Sequence, residues 1–193
     1  MLSKEKKFIF IHIPKTGGSS IRNSLIEYFD LRKNIAHEPQ SKYLNRLGNS
    51  YYDYFQFTFV RNPWDRFCSA YHYLKAGGRC QNDIDASNAL KLNQLSFKEF
   101  LVNYKGYLWG HFGPQHRYID LDFKHVTILK YENLQEGFDF ICDKIKINRK
   151  TLPCINKSDH DHYSSYYDDE TQQIIAEKYA KDIEYFGYKF GEN

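Results

Sequence analysis

The chain has 193 residues, and 27 lysines and arginines against 24 aspartates and glutamates leave a net charge of +3. That length can bury roughly 70% of the unfolded surface without a disulfide or metal staple, while an aromatic content of 18% excludes intrinsic disorder. The even charge balance excludes a nucleic-acid binder recognised by bulk electrostatics, and no run approaches the ~18 apolar residues of a membrane span.

The first segment, Met1 to Lys7, is charged, and the apolar run Phe8 to Ile13 is too short for the core of a signal peptide. The four cysteines, at 68, 80, 142 and 154, form no C-x-x-C pair, as befits reduced thiols. The chain therefore reads as soluble and cytoplasmic. Phe8 to Ile13 is itself the first strand, mostly apolar and of the kind buried in a parallel sheet. It stops at Pro14, Gly17-Gly18 marks a turn, and Ile21, Leu25 and Tyr28/Phe29 recur at helical spacing from about Ser19.

Arg32 to Asp53 is polar with weak secondary-structure signals, and Tyr54 to Val60 is a second strand. Asn62 is placed to cap a helix with Pro63 at its first position, running through Trp64, Phe67, Tyr71 and Leu74 to Gly77-Gly78. Arg79 to Asn93 reads as a polar loop, and Ser96 to Glu99 as a capping box opening a short helix through Val102. Tyr104 to Asp122 is aromatic and loop-like. His125 to Lys130 reads as a third buried strand, and Tyr131 to Lys144 as a helix. Asp168 caps a final helix whose buried stripe is Ile175, Tyr179, Ile183 and Phe186. Strands alternating with helices predict an α/β fold with a mainly parallel central sheet flanked by helices. No repeat or linker interrupts the chain, which reads as a single domain over 1–193.

The chemistry-bearing segment is His12-Ile13-Pro14-Lys15-Thr16-Gly17-Gly18-Ser19-Ser20. A strand that feeds a glycine turn into a helix N-terminus offers backbone N–H groups and a positive dipole end to an anion. Lys15 adds a formal charge and Thr16, Ser19 and Ser20 add hydroxyls; the alternative is a tight turn that happens to hold a lysine. The lysine precedes both glycines, unlike the G-x-x-x-x-G-K-[ST] loop of ATP-binding proteins. The second strand ends in Arg61, where ATPases often place an acidic magnesium ligand. A cation there suggests a second anionic group, with Ser69 two turns along the next helix. Pairing of Arg61 with Asp65, and Ser69 as a small packing residue, are the alternatives.

PKTGGSS after a strand, followed by FTFVRNPWDRFCSAY, resembles the sulfotransferase superfamily, in its carbohydrate sulfotransferase branch with a PKTGG-type loop. The tail LPCINKS…YYDDETQQIIAEKYAKDIEYFGYKF is similar as well. The resemblance implies a three-layer fold like that of P-loop NTPases. It implies sulfuryl transfer from 3′-phosphoadenosine-5′-phosphosulfate (PAPS) to a hydroxyl acceptor such as a carbohydrate, leaving the bisphosphate PAP. Lys15, Thr16, Gly17, Gly18, Ser19 and Ser20 would then hold the 5′-phosphosulfate. Arg61 and Ser69 would hold the 3′-phosphate, and Lys157 and Ser158 would close over it. Ser19 stands where the family loop usually has threonine, with the hydroxyl retained.

A sulfuryl group carries less negative charge than a phosphoryl group, so no metal is called for; Lys15 is the residue expected to stabilise the leaving oxygen. Relatives place their base between the two cofactor motifs, which points to His37, with Glu38 and His111 as alternatives. Tyr107 and Trp109, with His111, are the acceptor-side candidates. The other functions to be weighed are a nucleotide kinase or NTPase and a non-catalytic PAP-binding module.

Overall fold

The computed structural model describes residues 1–30, 37–106, 109–120, 125–153, 155 and 161–192, with Trp109 described by its backbone alone. In chain order, strands Leu2–Ser3 (β1) and Phe8–Ile11 (β2) precede helices Gly18–Leu25 (α1) and Gln40–Leu47 (α2). Strand Phe55–Val60 (β3) leads into helices Pro63–Lys75 (α3), Gln81–Ala89 (α4), Phe97–Asn103 (α5) and Trp109–Phe112 (α6). Strand Val126–Lys130 (β4) is followed by helices Leu134–Lys144 (α7), Asp169–Lys178 (α8) and Ala180–Phe186 (α9). These elements fall into two compact units, Met1–Arg61 with Gln115–Asn156, and Asn62–Pro114 with Lys157–Asn193.

The first unit is the α/β body. Its sheet runs β1-β2-β3-β4. β2 and β3 pair in parallel from Phe8↔Phe55 to Ile11↔Thr58, and β3 and β4 from Gln56↔Val126 to Val60↔Lys130. Alternation along the strands sends Phe8, Phe10, Phe57 and Phe59 to one face, where they meet Ile21, Leu25, Phe138 and Ile141 of α1 and α7. Phe10 and Phe57 stack with centroids 5.0 Å apart. Ile9 and Ile11 face the other way, onto Tyr43 of α2 and Tyr51 and Tyr54 beyond it. The result is the expected helix–sheet–helix layering around a mainly parallel sheet.

Three details of this unit differ from the sequence reading. β1 pairs antiparallel with β2 through Leu2↔Ile9 in a segment read as merely charged. β4 lies at the edge of the described sheet, so its side chains are half-buried and Lys130 is exposed, where a buried strand was expected. The polar stretch after Arg32 contains α2 and a 3₁₀ helix at Gly48–Asp53. Its helical signal was faint because α2 buries only Gln40 and Tyr43.

The second unit is helical, with an aromatic core. Asn62 caps α3 as predicted, accepting from the Trp64 N–H at 3.2 Å, and its amide also donates to the carbonyls of Lys189 and Glu192. Phe67 lies 4.7 Å from Phe112 and Tyr71 lies 5.2 Å from Phe97, ring centre to ring centre. Capping boxes start α5 at Ser96 and α8 at Asp168. Lys98 links the two helices through Asp168 at 2.6 Å and Glu170 at 2.9 Å. The stretch read as a polar loop, Arg79 to Asn93, holds α4, whose buried positions are polar: Asp83 and Ser87. A helix of that kind has no apolar stripe to read. The single C-terminal helix is two, broken at Tyr179, and Ile183 is half-buried rather than part of the buried stripe. The aromatic segment after Tyr104 carries α6 and a 3₁₀ turn at Gln115–Tyr118.

The packing of α7 on the sheet depends on one small residue. A Cβ at Gly137 would stand 2.8 Å from Cε1 of Phe59, which is fully buried. Gly137→Ala is therefore expected to cost about 1–3 kcal/mol by overpacking, measured as a lowered midpoint of denaturant unfolding.

Candidate functional site

The turn between β2 and α1 has an unusual backbone. Lys15 (φ 68°) and Gly17 (φ 78°) both occupy the left-handed region, which a lysine rarely adopts. Thr16 sits fully buried between them, its hydroxyl donating to the Ile13 carbonyl at 2.9 Å and closing the turn. The Gly17 carbonyl accepts from Ser20 N–H (3.0 Å) and Ile21 N–H (3.4 Å). The amides of Gly18 and Ser19 come before that first closure, at the positive end of the helix dipole, and no acidic residue lies in the first turn. Gly17 is needed twice over. Beyond its φ, a Cβ there would come within 2.8 Å of Leu134 and 3.0 Å of Tyr131.

Arg61 reaches this turn from the end of β3. It is 8% exposed, and its guanidinium lies 4.1 Å from the centre of the Tyr131 ring while donating to the Lys15 carbonyl at 3.2 Å. Its main-chain N–H and C=O are both held by the Gln115 side chain, at 2.9 and 2.8 Å. Parallel pairing explains the meeting. The two strands end side by side at the same edge of the sheet, where open α/β folds place their ligand sites.

His12, on the same edge, is buried between Phe10 and the loop. Its ring stacks on Phe10 at 5.4 Å and lies against Gly18, where a Cβ would fall 2.0 Å from the imidazole. Burial holds its pKa well below the usual histidine value, and the neighbouring His37, the N-terminal ammonium and Arg22 push the same way. The ring is thus neutral and its Nδ1 makes no hydrogen bond among the described residues. His37 packs on it, ring centres 4.3 Å apart, with Nδ1 at 3.0 Å from the His12 carbonyl. A carbonyl only accepts, so this nitrogen carries a proton, and in the neutral ring the lone pair is on Nε2.

The structure thus brings Lys15, Thr16, Gly17, Gly18, Ser20, Arg61 and His37 to one edge of the first unit. Ser19 is exposed on α1 and Ser20 is buried, accepting from the Ile155 N–H at 3.4 Å. Glu38, the alternative base, is engaged by Arg46 at 2.7 Å. Ser69 is buried in α3 of the second unit. There too lies His111, stacked on Tyr73 at 5.4 Å and 3.6 Å from an Asp83 carboxylate oxygen. Tyr107, Lys157 and Ser158 lie outside the described residues, as does the Trp109 side chain. Among the described residues no group of three or more His, Cys, Asp or Glu could hold a metal ion, and no helix is long and apolar enough to cross a membrane.

Sequence reasoning missed His12, Tyr131 and Gln115 as parts of this site. His12 was quoted as part of the motif but given no role. Tyr131 read as a helix residue and Gln115 as part of an aromatic loop, and neither carries a local signal of its partner.

The contact between Gly18 and His12 yields a direct check. Gly18→Ala is expected to destabilise the fold by roughly 1–3 kcal/mol through overpacking. In a His12→Ala background the same substitution should cost far less, since the obstructing ring is gone. Thermal unfolding of the four proteins measures the coupling.

Comparison with known proteins adds a family. The model of the sulfotransferase family matches residues 1–189. Among curated proteins no match was found.

Proposed function

We propose that the chain, which belongs to the sulfotransferase family, takes its sulfuryl group from PAPS and passes it to a hydroxyl acceptor, a carbohydrate. The family carries out sulfuryl transfer; the donor and the acceptor are our reading. The observation that supports it is the meeting of two cationic residues on one left-handed turn at a helix mouth, with Arg61 on the Lys15 carbonyl at 3.2 Å. Such a turn suits the terminal oxygens of a phosphosulfate. A second cation at the end of β3 suits a ligand with another anionic group.

In this reading the amides of Gly17, Gly18 and Ser19, with the Ser20 hydroxyl, hold the 5′-phosphosulfate, while Arg61 serves the 3′-phosphate. The motif assigns Ser69 to that phosphate as well, and Lys157 and Ser158 to its cover. Bound PAPS supplies a sulfur whose bond to the 5′-phosphate oxygen breaks as the acceptor oxygen bonds to it. Lys15 neutralises the charge that collects on the departing phosphate oxygen. His37 takes the acceptor's proton on Nε2, since its Nδ1 proton is committed to the His12 carbonyl. Trp109 and Tyr107 are proposed on the acceptor side.

Calorimetry in EDTA tests the donor. PAP is expected to bind at least roughly tenfold more tightly than ATP; a chain that binds ATP better and requires magnesium would be a kinase or NTPase. A screen of sugars and small alcohols with labelled PAPS then identifies the acceptor. For the base, His37→Ala is expected to lower kcat by about 10² or more with PAP affinity unchanged. Retained turnover would transfer the role to Glu38 or His111.

A further inference from the structure

We infer that Gln115 is a positioning residue for the donor site, acting through Arg61; the inference rests on the PAPS reading above. β3 makes its last ladder pairs at Thr58 with β2 and at Val60 with β4. Arg61 therefore stands one residue past the sheet, yet it is buried, and its peptide N–H and C=O need partners there.

The Gln115 side chain supplies both. Its Oε1 accepts from the Arg61 N–H at 2.9 Å and its Nε2 donates to the Arg61 carbonyl at 2.8 Å. The pairing leaves no choice of amide orientation, because the oxygen must face the donor and the nitrogen the acceptor. Gln115 is itself completely buried. Its carboxamide behaves as one peptide unit of a neighbouring strand, added where the ladder has run out.

The two bonds flank the Cα of Arg61, one on each side, and so fix both of its backbone dihedrals. That fixes the direction in which the long side chain leaves the sheet. The guanidinium then lands between two supports, the Tyr131 ring at 4.1 Å and the Lys15 carbonyl at 3.2 Å. Because the guanidinium lies at the end of a long side chain, a small rotation at the backbone carries it away from both. Gln115 has both its polar ends on the Arg61 backbone, so its part in the reaction is to aim a cation.

The test is PAP affinity by calorimetry in Gln115→Leu and Gln115→Glu, each alone and combined with Arg61→Lys, with thermal unfolding recorded for every protein. Gln115→Leu is expected to bind PAP roughly tenfold more weakly. In the Arg61→Lys background it should add little, as expected for members of one hydrogen-bond network. Gln115→Glu distinguishes aiming from mere packing. Ionised at pH 8 it can accept from the N–H but cannot donate to the carbonyl. Protonated at pH 5.5, at a site where burial favours the neutral acid, it does both. Its affinity should thus be roughly tenfold below wild type at pH 8 and within about threefold of wild type at pH 5.5. Folded variants with unchanged PAP affinity overturn the inference, as does a loss that adds fully to that of Arg61→Lys. If Gln115→Leu does not fold, the pH rescue of Gln115→Glu decides, and its absence counts against the inference. A wild-type chain that does not bind PAP defeats the donor reading and this inference with it, whereas normal wild-type binding with indifferent variants defeats this inference alone.

Discussion

The hydrogen bond from the Arg61 guanidinium to the Lys15 carbonyl joins the ends of two strands, and the candidate site is organised about it. Lys15 occupies a backbone conformation that costs free energy for a residue with a Cβ. Such a conformation persists only where its surroundings over-determine it. Here the Thr16 hydroxyl closes the turn from within, Arg61 holds the Lys15 carbonyl from the end of the neighbouring strand, and Gly17 lets Tyr131, just past β4, and Leu134 of α7 press against the turn. The cost of the left-handed lysine is offset by the whole first unit rather than by the loop alone.

The same edge solves an electrostatic problem. A charged imidazole at His12 would be desolvated by burial and repelled by His37, the N-terminal ammonium and Arg22. His12 remains neutral for that reason, and burial is the larger cause. Its neutrality lets it serve as an apolar slab between Phe10 and Gly18, while its carbonyl orients His37. One residue of the loop motif thus shapes the glycine requirement at position 18 and the tautomer of the proposed base.

The second unit is held together differently. Where the first unit rests on a buried sheet, the second relies on crossed aromatic rings and on helices started by local caps at Asn62, Ser96 and Asp168. Its helix α4 buries Asp83, and burial opposes the charge there. The Tyr73 hydroxyl at 2.6 Å and the Arg79 N–H at 3.0 Å more than compensate, leaving the carboxyl below its ordinary pKa. Polar burial of this type stabilises a helix without leaving a periodic apolar trace, which is why Arg79 to Asn93 looked like a loop.

The sequence by itself determined whatever depends on near neighbours. The strand–glycine–helix turn, the Asn62-Pro63 helix start, the capping box at Ser96, the cap at Asp168 and the alternation that makes an α/β sheet are interactions spanning a few residues, and their spacing can be read directly. Lys15, Arg61 and His37 could be named because charge and proton chemistry belong to the side chain wherever it lies. What only the tertiary structure decided is which of these groups meet, and through whom. Gln115 is 54 positions from the arginine it holds, and His37 is 25 positions from the carbonyl that sets its tautomer. A carboxamide or a tyrosine has the same composition in a loop as in a site. Its partner is chosen by the parallel register that ends two strands at one edge, and no local pattern encodes that register.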